Sequence, residues 1–223
     1  KQKTAYEITY GDWSSDVCSS DLGFITSDLL LKRVDVSGGA PVTLASGLSG
    51  PGGGGAWNAD GVIVFGGGTT NRRPLSRVPA SGGTPVEITQ VGADEAGHLV
   101  TQFLPDGRHV LYFAPTVGGA GTGQVLVASL DGGEPTRVVA STAAAVYAPP
   151  GYLLRVAQGV LTAQHFDPVR ATLSGEPMPV AQAVFENSGG RSSFSVSPSG
   201  LLAYRAGLSS ALRSEEHTSE LQS

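Results

Sequence analysis

The chain has 223 residues, with 14 Lys+Arg against 19 Asp+Glu, 32 Gly, 14 Pro and a single Cys. That length suits one ordinary domain, and no run approaches the roughly 18 apolar residues that span a bilayer. A net charge of −5 offers no electrostatic footprint for phosphates, which argues against nucleic-acid binding, and one cysteine excludes an internal disulfide.

The two ends come first in chain order and in consequence. Residues 1–8, KQKTAYEI, resemble the translation of a sequencing flow-cell primer. Residues 12–22, DWSSDVCSSDL, and 213–223, RSEEHTSELQS, resemble one library adapter read in its two directions. The expectation is that 1–22 and 213–223 are adapter-derived and not native, and that the natural segment runs from about 23 to 212 with arbitrary bounds. Those ends carry Lys1, Lys3 and Arg213 against Glu7, Asp12, Asp16, Asp21, Glu215, Glu216 and Glu220, so 11 Lys+Arg and 12 Asp+Glu remain between them. The acidic balance therefore sits in the ends, as does Cys18, and Glu215, Glu216 and His217 carry no weight as a metal site. Lys32 is the one lysine of the middle segment beside ten arginines, which fits a GC-rich genome better than an arginine-dependent function.

Between the ends the chain repeats itself. A half unit spans 29–44 around Gly38-Gly39. The first full unit, 56–89, holds Trp57-Asn58-Ala59-Asp60-Gly61 before an apolar run and Gly82-Gly83 after it. The second, 102–140, holds Phe103-Leu104-Pro105-Asp106-Gly107 and later Asp131-Gly132-Gly133. The third, 146–182, holds Tyr147-Ala148-Pro149-Pro150-Gly151, with Gly175-Glu176 as a weakened copy of the second mark. A final half unit, 193–205, holds Phe194-Ser195-Val196-Ser197-Pro198-Ser199-Gly200.

Gly61, Gly107, Gly151 and Gly200 are 46, 44 and 49 residues apart, and the Gly-Gly pairs at 38, 82 and 132 are 44 and 50 apart. Asp-Gly and Gly-Gly between apolar runs are hairpin signals, because glycine adopts positive φ and Asp bonds its own turn. Runs such as 62–65, 110–113 and 125–130 are apolar on consecutive positions, as strands covered on both faces are. Helical periodicity is absent. The glycine tracts 52–55, 66–68 and 118–123 read as loops.

A β-signature with a period in the forties gives one propeller blade per repeat. The expected fold is all-β: an open fragment of a β-propeller, with about three full four-stranded antiparallel blades plus two partial ones. Its end blades would expose faces meant to be buried, so the isolated chain is expected to be marginal or aggregation-prone.

The 103–113 run resembles the Pro-Asp-Gly strand repeat of bacterial TolB-like (WD40-like, PD40) propellers. More narrowly it resembles the C-terminal propeller of bacterial eukaryotic-type serine/threonine protein kinases, supported by Arg77-Val78-Pro79-Ala80-Ser81-Gly82-Gly83, His165-Phe166-Asp167-Pro168 and Gly175-Glu176-Pro177. The resemblance covers 23–207. It implies a module that follows a kinase domain and often a membrane segment, with a periplasmic or extracytoplasmic place if it holds.

Chemistry is sparse. Asp60, Asp106 and Asp167 sit where turn capping is expected. His98, His109 and His165 lack ligand spacing and are expected at surface or strand positions. Gly119-x-Gly121-x-Gly123 lacks the Lys-Ser/Thr and the helix of a phosphate loop. Arg72-Arg73 reads as a solvated pair. Trp57, Phe103, Tyr147 and Phe194 recur at one repeat position and are expected to be packing residues. There is no Gly-x-Ser-x-Gly elbow and no Val-Ala-Ile-Lys, His-Arg-Asp or Asp-Phe-Gly.

No catalytic, cofactor-binding or metal residue is therefore assigned, and no cofactor is expected. The segment is expected to be a non-catalytic sensor or interaction module of a serine/threonine kinase. The alternatives are a TolB-type envelope protein-binding propeller and the propeller of a prolyl-oligopeptidase-like peptidase. The partner, protein or small ligand, is left open, with neither nucleic acid nor membrane contact expected of this segment. Loops 66–73, 114–123 and 186–191 are the most permissive places for a partner.

Overall fold

A computed structural model describes residues 21–46, 48, 53–67, 72–118, 121–186, 190–191, 193–197 and 199–207. Of the sequence features singled out above, Cys18, Gly119, Pro198, Glu215, Glu216 and His217 lie outside the described residues, as do parts of all three permissive loops.

Every regular element among the described residues is a strand, and the strands form five antiparallel sheets in chain order. The first sheet holds β1 (Asp21–Ile25), β2 (Leu31–Asp35) and β3 (Val42–Ala45). The second holds β4 (Gly55–Trp57), β5 (Val62–Gly66), β6 (Leu75–Pro79) and β7 (Val86–Glu87). The third holds β8 (Leu99–Phe103), β9 (His109–Pro115), β10 (Gly123–Ser129) and β11 (Thr136–Ser141). The fourth holds β12 (Val146–Ala148), β13 (Tyr152–Ala157), β14 (Val160–Asp167) and β15 (Thr172–Ala181). The last pairs β16 (Phe194–Val196) with β17 (Leu202–Tyr204).

Each four-stranded sheet is a meander with its strands in sequence order. Their first strands meet in turn, β4 against β8, β8 against β12 and β12 against β16. These are the blades of an open β-propeller arc, with β4, β8, β12 and β16 innermost.

The consecutive apolar runs follow from this stacking. A strand sends alternate side chains to opposite faces. Ile63 and Phe65 pack toward Ile25, Leu31 and Leu44 of the first sheet, whereas Val64 between them packs toward Val110 and Tyr112 of the third. Likewise Val110, Tyr112 and Ala114 face backward to the second sheet, and Leu111 and Phe113 face forward to Leu153 and Phe166. Fully burying such side chains stabilises by about 1.5–3 kcal/mol each, so the inter-sheet faces are the main store of stability.

Four expectations need correction. The leading half unit is a three-stranded sheet that starts at β1, ahead of residue 29. β1 includes Asp21 and Leu22, paired with Asp35 and Val34, and Asp21 forms an ion pair with Arg33. The glycine tracts are not loops throughout: Gly55, Gly66 and Gly123 are strand residues. A Cβ at Gly66 would overlap the carbonyl of His98, and one at Gly123 would lie 2.6 Å from the Phe113 ring, so close approach fixes glycine there. In the fourth sheet the hairpin between β14 and β15 is at 168–171; Gly175 sits inside β15 at φ 68°, within a stretch where the register shifts. His98 is neither at the surface nor in a strand.

Candidate functional site

The meander makes the two ends of the stack chemically different. At one end lie the connections β4–β5, β8–β9, β12–β13 and β16–β17, together with β6–β7, β10–β11 and β14–β15. These are the tight turns. At the other end lie the longer connections within blades (67–74, 116–122), the two-residue β13–β14 turn at 158–159, and the crossings from one blade to the next (46–54, 88–98, 142–145, 182–193). All three permissive loops belong to this long-loop end.

The turn end is built for structure. Asn58 reads the next repeat: its Nδ2 donates to the Gly107 carbonyl at 2.8 Å while its Oδ1 accepts from the Val62 N–H at 2.8 Å. The Asp106 carboxylate accepts from the Arg108 and His109 N–H groups, each at 3.0 Å, and from His109 Nδ1 at 2.5 Å. Partial burial opposes that charge, but these bonds hold Asp106 below its usual value. Asp167 caps 168–171 through the Val169 and Arg170 N–H groups, which likewise lower it. Asp60 is an exposed turn residue.

The long-loop end holds the buried polar chemistry. His98 has no exposed surface, and its ring lies 4.8 Å from that of Tyr112 on β9. Its Nε2 is 3.1 Å from Glu95 Oε2, and its Nδ1 is 2.8 Å from the Thr89 hydroxyl, whose oxygen accepts from the Leu75 N–H at 2.8 Å. A carboxylate only accepts, so Nε2 carries the ring proton. Burial then pushes His98 below its ordinary value, with Glu95 partly opposing, so Nδ1 is a bare acceptor for the Thr89 hydroxyl. Burial also raises Tyr112, with Glu95 adding to the effect and Arg137 opposing it.

Around that ring the loops tie to one another. Glu95 also accepts from the Gly92 N–H at 2.6 Å. Arg72 is not merely solvated: its guanidinium donates to the carbonyls of Gly92 at 2.8 Å and Ala93 at 2.9 Å. The N–H groups of Ala96 and Val117 join the 88–98 crossing to the β9–β10 hairpin through Pro115 and Asp94, and the His98 N–H joins it to Arg73. One blade further on, Glu186 accepts from Thr142 Oγ1 at 3.2 Å and from the Gly159 N–H at 2.9 Å. Arg191 comes over Gly54: a Cβ there would lie 3.0 Å from its guanidinium and 2.8 Å from the Val100 carbonyl.

The three histidines are not brought together. His98 sits at the long-loop end, whereas His109 and His165 sit toward the turn end of different blades, His165 against Tyr152 at 4.5 Å. Among the described residues no three His, Cys, Asp or Glu side chains gather as a metal group. The repeated aromatics do pack between sheets: Trp57 and Tyr147 are buried and Phe103 and Phe194 half-buried, each against the preceding sheet. Sequence reasoning missed the Thr89–His98–Glu95 chain; the one available signal was a Glu and a His three apart before a strand.

The geometry defines a β-propeller with one elaborated end, and comparison with solved structures agrees. The chain is similar to a proposed TolB from Agrobacterium tumefaciens (16% identity, TM-score 0.59, 83% of this chain and 65% of that one). It is similar to the calcium-binding protein regucalcin from the same organism (12%, 0.64, 91% and 68%). It is also similar to a puromycin hydrolase S511A mutant (20%, 0.53, 84% and 33%). At these identities the likeness is one of fold, and the chain spans about two thirds of the first of these proteins and a third of the last. No protein-family model and no curated protein matches the chain.

Proposed function

We propose that this chain is a non-catalytic sensor or interaction module, part of a bacterial serine/threonine protein kinase, and that its long-loop end meets the partner. The observation that carries the docking face is the asymmetry of the ends: connections of three to six residues at one, and at the other most of the longer, cross-tied connections. Binding residues concentrate on loops held by a rigid scaffold, and the blades supply that scaffold. The kinase parent rests on the resemblance of 103–113 and its supporting motifs.

A second reading is a TolB-type envelope propeller that binds proteins, whose fold the TolB structures share with this chain. A third reading is the propeller of a prolyl-oligopeptidase-like peptidase, a fold that the puromycin hydrolase structure also shares with this chain. Reading the genomic locus through both ends separates the three. Kinase motifs upstream support the first. A signal peptide with a small preceding domain supports the second, and a following α/β-hydrolase domain with its Gly-x-Ser-x-Gly elbow supports the third. A locus that encodes the chain as it stands, with none of these, overturns the kinase assignment.

A further inference from the structure

We propose that the crossing from β7 to β8 is a proton-operated latch, which closes the long-loop end when the His98 ring is neutral and releases residues 90–97 when that ring gains a proton. The inference goes beyond the proposed function and does not depend on the kinase assignment.

The closed state uses every polar position of a neutral ring. Nε2–H donates to Glu95, Nδ1 accepts from Thr89, and Thr89 in turn accepts from Leu75. A second ring proton reverses Nδ1 from acceptor to donor. The Thr89 hydroxyl hydrogen must then turn away from the ring, inside a site where Thr89 and His98 are both buried. It also places a full charge on a ring that has no exposed surface. Among the described residues Glu95 is the one acid that touches the ring, and the same Oε2 already serves the Gly92 N–H.

The other groups on the ring give the cation little help. Tyr112 from β9 presents a neutral phenol, and burial keeps it neutral. Arg137 acts on that phenol from β11, and Arg72 holds the carbonyls of Gly92 and Ala93. Arg191 comes over Gly54 beside the Val100 carbonyl, two residues beyond His98. Arg73 and Gly66 present backbone only, the Arg73 carbonyl to the His98 N–H. Of these groups only Glu95 acts on the ring's charge, and its carboxylate is shared with the Gly92 N–H.

The imidazolium is accommodated when 90–97 swings outward and carries His98 and Glu95 to water. That motion breaks the Ala96–Pro115, Val117–Asp94 and His98–Arg73 bonds together. His98 is depressed from 6.5, so the open state binds the extra proton first. Closure is at full strength above that value and weakens as pH falls below it.

The test is site-resolved amide exchange on the full 223-residue chain at about pH 7.5 and about pH 5, corrected for intrinsic rates, a window in which histidine changes charge. Protection at Ala96, His98 and Val117 is expected to fall about tenfold per pH unit below the ordinary histidine value, while β13 and β14 around His165 stay unchanged. His98→Gln is expected to flatten the fall. Glu95→Gln keeps an acceptor for Gly92 and Nε2 but removes the countercharge, so its fall is expected to extend to lower pH. Unchanged protection in the parent chain overturns the proposal. So does an undiminished fall in His98→Gln, or, should that variant not fold, a shallower fall in Glu95→Gln.

Discussion

The side chain of Gln102 pairs with the backbone of Tyr147 as a neighbouring strand would. Its Nε2 donates to the Tyr147 carbonyl at 3.1 Å, and its Oε1 accepts from the Tyr147 N–H at 3.1 Å. The two residues lie on the innermost strands β8 and β12 of successive sheets. Inner strands splay apart around an axis and cannot share a ladder, so one amide side chain bridges the gap.

Gln102→Leu keeps the approximate volume and removes both bonds. Each is worth about 0.5–1.5 kcal/mol net, and the half-buried Tyr147 peptide groups lose their partners, so a total loss of about 1–3 kcal/mol is expected. Urea titration is the measurement: the midpoint should fall with the slope unchanged. Gln102→Glu keeps the acceptor and should recover part of the loss. An unchanged midpoint in Gln102→Leu would contradict the bridging role.

The repeated aromatics should differ among themselves. Tyr147 is buried between the third and fourth sheets and its ring meets Phe166 edge-on at 6.1 Å. Tyr147→Ala should cost about 3–5 kcal/mol through the cavity it leaves. Phe103 packs against the second sheet but keeps part of its surface, so Phe103→Ala should cost less. Thermal melts of the two variants rank them directly, and an equal or reversed order would refute the assignment.

What the sequence disclosed and what it hid follow one division. Asp-Gly, Pro-Gly and Gly-Gly turns are local chemistry, and the blade period was legible from Gly61, Gly107 and Gly200 for that reason. Contacts between sheets join residues far apart in the chain, 45 positions for Gln102 and Tyr147 and 49 for Asn58 and Gly107, and no local rule specifies them. Gln102–Tyr147 and Asn58–Gly107 were therefore invisible, and His98 read as a surface or strand residue although it is buried in a crossing against Tyr112. Gly175 misled because a positive-φ glycine serves a bulged strand as well as a hairpin. β1 was missed because two of its five residues, Asp21 and Leu22, read as foreign sequence, which left too short a run to mark a strand.

Glycine positions should separate into crossings and turns. Gly66 runs against the backbone of His98 and Gly53, which cannot yield as a side chain can. Gly66→Ala is expected to cost about 3 kcal/mol or more by overpacking. Gly132 has φ 80° with open space around it, so Gly132→Ala should cost only the left-handed strain of about 1–2 kcal/mol. Denaturant midpoints of the pair test the distinction, and a larger loss at Gly132 would reverse it.

Acid should loosen the turn end through Asp106. Its carboxyl is held below 3.8 in the folded chain by His109 and two N–H groups, against the opposing effect of burial. The folded state then gives up that proton more readily than the unfolded state. The contribution is present above about pH 3.8 and fades as pH falls through the lowered folded value. Asp106→Asn removes this dependence, so parent and variant stabilities should converge as pH falls below the lowered folded value. A stability gap that stays constant from neutral to strongly acid pH would show that the charge has no part in the turn.

The stacking predicts a gradient of stability along the chain. The second, third and fourth sheets are packed on both faces, and the last pair, β16 and β17, meets one apolar cluster through Phe194, Val196 and Leu202. Leu201 is 73% exposed and Tyr204 47%, and the first sheet shows exposed Val36 and Val42. A sheet held on one side lacks the burial that offsets its chain entropy, since each ordered residue costs about 1–2 kcal/mol of backbone freedom. Amides of β16–β17 should exchange by local opening, well before those of β9 and β10, whose exchange should follow global unfolding. The same exposed face should drive self-association as concentration rises, read by light scattering, and Leu201→Lys should reduce it because a charge on an exposed edge blocks further stacking. Equal protection from β1 through β17, in a chain that stays monomeric at high concentration, would mean that the outer sheets need no neighbour, and the nearest-neighbour account of this fold would fail.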